Sequence, residues 1–221
     1  MGTEIADGLF QFEWAAKGML WYSYLWVGPG GNILFNHIPD VGFWKKQMAE
    51  LRKLGGVRWV YMTHSGDADA GSTLMHAAFG TELAGTEQGG EKAVKKCKVP
   101  IGKVLPFEVT SEKGLKCIPA PGHADFFFVF LIKAGKRRCL FTSDMFHQAA
   151  QDVWKVKIPE RRALVGLESI GRMFEEKVDL LLPGLSGAAV RGPYALDAKG
   201  RPVLRERLEG ALRKKYKMAK V

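Results

Sequence analysis

VRWVYMTHSGDADAGS, residues 57–72, is the stretch that decides how this chain is read. Val57 to Met62 is an apolar run rich in β-branched and aromatic side chains, the composition of a buried strand. It stops abruptly at Thr63-His64, and small, polar and acidic residues follow as far as Ser72. A buried strand that ends this way delivers a loop to a rigid rim, where chemistry is commonly placed.

Upstream of it, Met19 to Val27 reads as a strand, Gly28-Pro29-Gly30-Gly31-Asn32 as dense turn chemistry, and Ile33-Leu34-Phe35 as the hairpin partner. Asp40 is placed to cap a helix whose apolar positions Phe43, Trp44, Met48, Leu51 and Leu54 keep a helical period, and Gly55-Gly56 stops it. His37 is read as a loop histidine. Downstream, Ser72 to Phe79 is a short helix with His76 on its surface, and residues 80–98 carry no readable motif. Val104 to Val109 and Gly114 to Ile118 are read as short strands. They lead into Pro119-Ala120-Pro121-Gly122-His123-Ala124-Asp125, where Pro and Gly fix a tight turn that aims one imidazole inward.

Phe126 to Ile132 (FFFVFLI) is too short for a helix of its own and suits a strand buried on both faces. Cys139-Leu140-Phe141-Thr142-Ser143-Asp144 ends a second buried strand on a carboxylate. Pro159 opens a helix buried through Leu164, Leu167, Ile170 and Phe174, and Val178 to Leu182 is the last core strand, running into Pro183-Gly184-Leu185-Ser186-Gly187.

These loops, in this order, resemble those of the metallo-β-lactamase fold superfamily. Thr63, His64 and Gly71 fall in register with its T-H-x-H-x-D-H-x-G loop, Pro121-Gly122-His123 with its P-G-H loop, Ser143-Asp144 with its G-D turn, and Pro183-Gly184 with its P-G-H-G loop. Tyr22-Ser23-Tyr24-Leu25 matches the family's N-S-Y-L strand. The resemblance implies an α/β fold, an αββα four-layer sandwich with two sheets face to face and helices outside. It also implies two metals, zinc or sometimes iron or manganese, and hydrolysis of an ester, thioester, amide or phosphodiester. Here the ligand set is reduced. Gly66, Ala68 and Leu185 stand at ligand positions, and Asp69 stands where the family has a His. His64, Asp69, His123 and Asp144 are the expected metal ligands, with Asp69 or Asp144 as general base. Two functions stay open: a protein that has lost dinuclear hydrolysis and binds a ligand at its old pocket, or a hydrolase working on a single zinc, iron or manganese ion.

Composition narrows the setting. At 221 residues and 47% hydrophobic, the chain is expected to form a single domain over 1–221. Cys97, Cys117 and Cys139 are odd in number, far apart and without a C-x-x-C pair, as expected of free thiols in the cytoplasm or another reducing compartment. Met19 to Val27 is too short to span a membrane, and Glu4, Asp7 and Glu13 precede it, so neither a membrane span nor a secretory signal is expected. Of the net charge of +10, residues 199–220 carry +7 through nine Lys or Arg against two Glu. Leu204, Leu208, Leu212 and Tyr216 recur every four residues there, so a C-terminal helix over about 203–219 is expected to pack an apolar stripe and expose its basic face. Tyr216 belongs to the apolar stripe and no other aromatic lies between the charges, so nucleic acid is not expected and the expected partner is a small molecule or a protein.

Overall fold

The structure, a computed structural model, describes residues 1–36 and 38–219; His37 lies outside the described residues. The first half of the chain lays down β1 (Thr3–Ala6), β2 (Leu9–Ala16), β3 (Met19–Trp26) and β4 (Ile33–Phe35) as an antiparallel series. Helices α1 (Val41–Lys53), α2 (Ala70–Phe79) and α3 (Glu87–Cys97) then separate β5 (Trp59–Tyr61), β6 (Glu82–Gly85) and β7 (Ile101–Val104), which extend the same sheet in parallel. A helix between successive strands is what parallel pairing requires. The second half adds β8 (Thr110–Glu112), β9 (Leu115–Pro119), β10 (Phe128–Ala134) and β11 (Arg137–Ser143). After a separate hairpin of β12 (Phe146–Ala150) and β13 (Val153–Val156) come α4 (Ala163–Glu175), β14 (Leu180–Pro183), β15 (Leu185–Gly187), β16 (Tyr194–Ala195) and α5 (Gly200–Lys215). The second sheet runs β16-β14-β11-β10-β9-β8, while β15 crosses over to pair with β3.

Alternation along the strands sorts the apolar side chains into three layers. Phe128, Phe130 and Ile132 face Tyr24, Phe35 and Tyr61 across the space between the sheets. Their neighbours Val129 and Leu131 point the other way, onto Ile170 and Met173 of α4 and Leu204, Leu208 and Leu212 of α5. Leu25, Leu34 and Val60 do the same on the first sheet, against Trp44, Met48 and Leu51 of α1 and Met75 of α2. A strand buried on both faces must be apolar at every position, which is why Phe128 to Ile132 shows no period of two; the expected strand over Phe126 to Ile132 begins only at Phe128, and Phe126, before it, is exposed. Helix, sheet, sheet, helix is therefore the observed layering, and it is the αββα sandwich.

Several local expectations need correction. The strand expected over Val104 to Val109 ends at Val104; Pro106, next but one, has no N–H to give a ladder. Residues 80–98 hold β6 and α3, with Thr86 as cap, its hydroxyl accepting from the Gly89 N–H at 3.1 Å. The helix tolerates Gly90 because a Cβ there would lie 2.7 Å from Cδ1 of Ile101: close packing on β7, not helix propensity, selects the residue. Residues 160–162 form a short 3₁₀ turn before α4, and α5 runs over 200–215. Asp40 does cap α1, accepting from the Phe43 N–H. His76 is anchored, its Nδ1 2.7 Å from the Thr81 carbonyl. All three cysteines are free and buried, and no described helix is long and apolar enough to cross a membrane.

Candidate metal centre

The loop after β5 is built around Asp67, which is 3% exposed. Its Oδ2 accepts from the Thr63 N–H at 2.7 Å, the Thr63 hydroxyl at 2.6 Å and the His64 N–H at 3.4 Å. Its Oδ1 accepts from the Ser143 hydroxyl at 3.3 Å and lies 3.5 Å from Nδ1 of His64. One buried carboxylate thus closes the loop on itself and ties it to the end of β11. Ser143 has φ +50°, a left-handed conformation that costs a non-glycine residue roughly 1 kcal/mol. The Oγ bond to Asp67 offsets that cost. This role for Asp67 escaped the sequence reading; its signal was a Thr and an Asp four residues apart on a loop leaving a buried strand.

The second loop is held from α4 and the 3₁₀ turn before it. Ser169 donates its hydroxyl to the Pro121 carbonyl at 2.6 Å, and Arg162 donates to the His123 carbonyl at 3.3 Å. Gly122 allows the approach, since a Cβ there would stand 3.2 Å from the Gly166 backbone. Nδ1 of His123 lies 2.7 Å from the Lys157 carbonyl, which can only accept, so a proton sits on Nδ1. That Nε2 is 3.3 Å from Oδ1 of Asp144, whose Oδ2 is 3.3 Å from the Lys157 ammonium.

His64, His123 and Asp144, eighty residues apart in sequence, meet at one end of the sandwich, each offering a ligand atom within 4.8 Å of the others. The two imidazoles stand edge to face, centroids 5.0 Å apart, with Phe127 5.5 Å from both. Burial pulls the His64 imidazole toward neutrality, but the charge and hydrogen bond of Asp67 and the charge of Asp144 together outweigh it, and the pKa ends above the usual histidine value.

Asp69 does not join this group. Its Oδ1 caps α2, accepting from the Gly71 N–H at 2.8 Å and the Ser72 N–H at 3.2 Å, and Nδ2 of Asn36 reaches it at 3.2 Å. Burial raises its carboxyl pKa despite those bonds. Asp125 is turned outward to Arg162. Gly66 has a steric reason for being glycine: a Cβ there would lie 2.4 Å from Nε2 of His64, so the imidazole occupies the space a side chain would need. Leu185 is 3% exposed and pairs with Trp21 across β15 and β3. The chain reaches it by stepping between sheets at Gly184, which donates to the Ser143 carbonyl at 2.5 Å and accepts from the Tyr22 N–H at 2.8 Å.

No family model matches the sequence, and no curated protein matches it significantly. Solved structures do match the fold. The metallo-β-lactamase MIM-1 from Novosphingobium pentaromativorans superposes with a TM-score of 0.70 at 14% identity, over 98% of this chain and 89% of its own. A metallo-β-lactamase from Pontibacter korlensis gives 0.69 at 14% identity over 96% and 98%. GOB-18 from Elizabethkingia meningoseptica gives 0.63 at 16% identity over 99% and 93%. At such identities the likeness speaks for the fold and not for the chemistry.

Proposed function

We propose that this chain, which has the metallo-β-lactamase fold, has lost two-metal hydrolysis and uses the old active-site end as a binding pocket. The observation that carries this is the Lys157 ammonium 3.3 Å from Asp144. The carboxylate that the resemblance assigns to bridging two metals here faces an ammonium on one oxygen and an imidazole on the other. A side-chain cation takes over the charge neutralisation that metal ions would supply, and further cations are repelled. A second ion finds no donors, because Gly66, Ala68 and Leu185 bring none and Asp69 is committed to α2.

A single divalent cation does fit the residues that remain. Two imidazoles and a carboxylate are the donors that would hold it, and the Lys157 carbonyl keeps a proton on Nδ1 of His123, leaving Nε2 as the nitrogen that would ligate. Bound there, an ion would supply Lewis acidity toward a carbonyl or phosphoryl oxygen. Asp67 would orient His64, and the Lys157 ammonium would have to leave Asp144. This supports the single-metal hydrolase as the second reading.

Elemental analysis separates the two. Protein purified without chelator should hold well under one equivalent of zinc, iron or manganese, and added zinc should leave the melting temperature unchanged. Lys157→Ala should create a zinc-dependent rise in that temperature, because it frees the carboxylate while keeping both imidazoles. A full equivalent of metal in the parent, lost in His64→Ala and in His123→Ala, would establish the single-metal centre instead.

A further inference from the structure

Beside the His64 cluster lies a pocket of about 600 Å³, a size usual for small-molecule sites. Met19, Trp21 and Leu185 line it from the first sheet, and His147, Lys155 and Lys157 line it from the β12–β13 hairpin. Lys215 of α5 also reaches it, its ammonium held by the carbonyls of Val156 and Ile158 at 3.1 Å each. Among the described residues, none that lines it is acidic.

From this lining we infer that the pocket binds an apolar monocarboxylate, its chain against Trp21 and Leu185 and its carboxylate on Lys155 and His147. The inference rests on the reading of this end of the fold as a binding pocket, and it names the ligand class. His147 and Lys155 are directly opposed in the antiparallel register, so their side chains leave the hairpin on the same face. Lys155 has no ion-pair partner among the described residues, unlike Lys157, which is engaged with Asp144. His147 is 5% exposed, and its Nδ1 has no hydrogen-bond partner among the described residues. A buried polar atom left so is costly, and a turn of the ring toward the pocket would let a ligand carboxylate satisfy it. The local field agrees: burial first, then the charges of Lys157 and Lys155, hold the His147 imidazole down at about 4. An anion is the ligand that a neutral imidazole N–H and an unpaired ammonium can share, and the apolar lining requires the rest of it to be hydrocarbon.

Decanoate is the probe, titrated by calorimetry and by tryptophan fluorescence into untreated and chelator-treated protein. It should bind one to one, at least tenfold more tightly than acetate, which lacks the chain, or decylammonium, which inverts the charge. Lys155→Glu, an exposed change that leaves the core alone, should weaken decanoate about tenfold, and His147→Phe should weaken it several-fold. Equal binding of decanoate and decylammonium, or undiminished binding by Lys155→Glu, would overturn the inference. So would loss of binding on chelation, which would place the carboxylate on a metal at the His64 cluster. Metal content tests the proposed function separately: a full equivalent of metal with chelator-resistant decanoate binding would sink that reading and leave this one standing.

Discussion

Asp67→Ala tests whether one buried carboxylate organises the site. Two of its bonds, to the Thr63 N–H at 2.7 Å and the Thr63 hydroxyl at 2.6 Å, are short and charge-assisted; the contacts at 3.3 and 3.4 Å to Ser143 and His64 are weaker. Hydrogen bonds to a charged acceptor are worth about 1.5–3 kcal/mol each, and the substitution leaves the Thr63 N–H buried without a partner. Against this stands the relief of no longer desolvating a carboxylate, so the net loss should be about 3 kcal/mol. With a urea slope of about 3 kcal/mol/M for a chain of this length, the unfolding midpoint should fall by about 1 M. Asp67→Asn keeps the volume and an acceptor oxygen and should lose about half as much. The same variants carry a second readout. With Asp67 gone, only the smaller effect of the Asp144 charge opposes the burial of His64, so its imidazole pKa, followed by NMR, should fall. A midpoint within about 0.2 M of the parent would refute the argument, as would a His64 titration unmoved in Asp67→Ala.

Two further outcomes follow from the same geometry. His147, held at about 4 by burial and two lysines, stays neutral in the folded state while the unfolded chain takes up a proton near the usual histidine value of 6.5. The depressed pKa makes stability full above pH 6.5 and erodes it as pH falls toward 4, by about 3 kcal/mol in all at 1.36 kcal/mol per pH unit; urea midpoints measured across that window should drop in the parent and stay flatter in His147→Gln. Gly66→Ala should displace the His64 ring and cost about 1 kcal/mol or more, and adding Lys157→Ala should not restore zinc-dependent stabilisation; a double variant that binds zinc as Lys157→Ala does would show that His64 keeps its place despite the added methyl.

What the amino-acid order determined by itself was the frame. The apolar runs at Val57–Met62 and Phe126–Ile132, the caps and the glycine punctuation follow from local chemistry, and four loop motifs in one order pointed to one architecture. The elements that escaped were those whose cause is non-local. Residues 80–98 look patternless because Gly90 is chosen by contact with Ile101, and the β12–β13 hairpin packs on α5 and β15, partners distant in sequence. At the site, sequence could name His64, His123 and Asp144 but could not say what each oxygen and nitrogen touches. Only the tertiary structure decided that Asp69 caps a helix and that Asp67 is the buried organiser. It also decided that Gly66 is the space for a neighbouring ring and that Lys157, thirteen residues from Asp144, sits on the carboxylate. The physical reason is that a motif records which donors are present, whereas affinity and charge depend on distances of 3 Å between groups that the chain brings together only by folding.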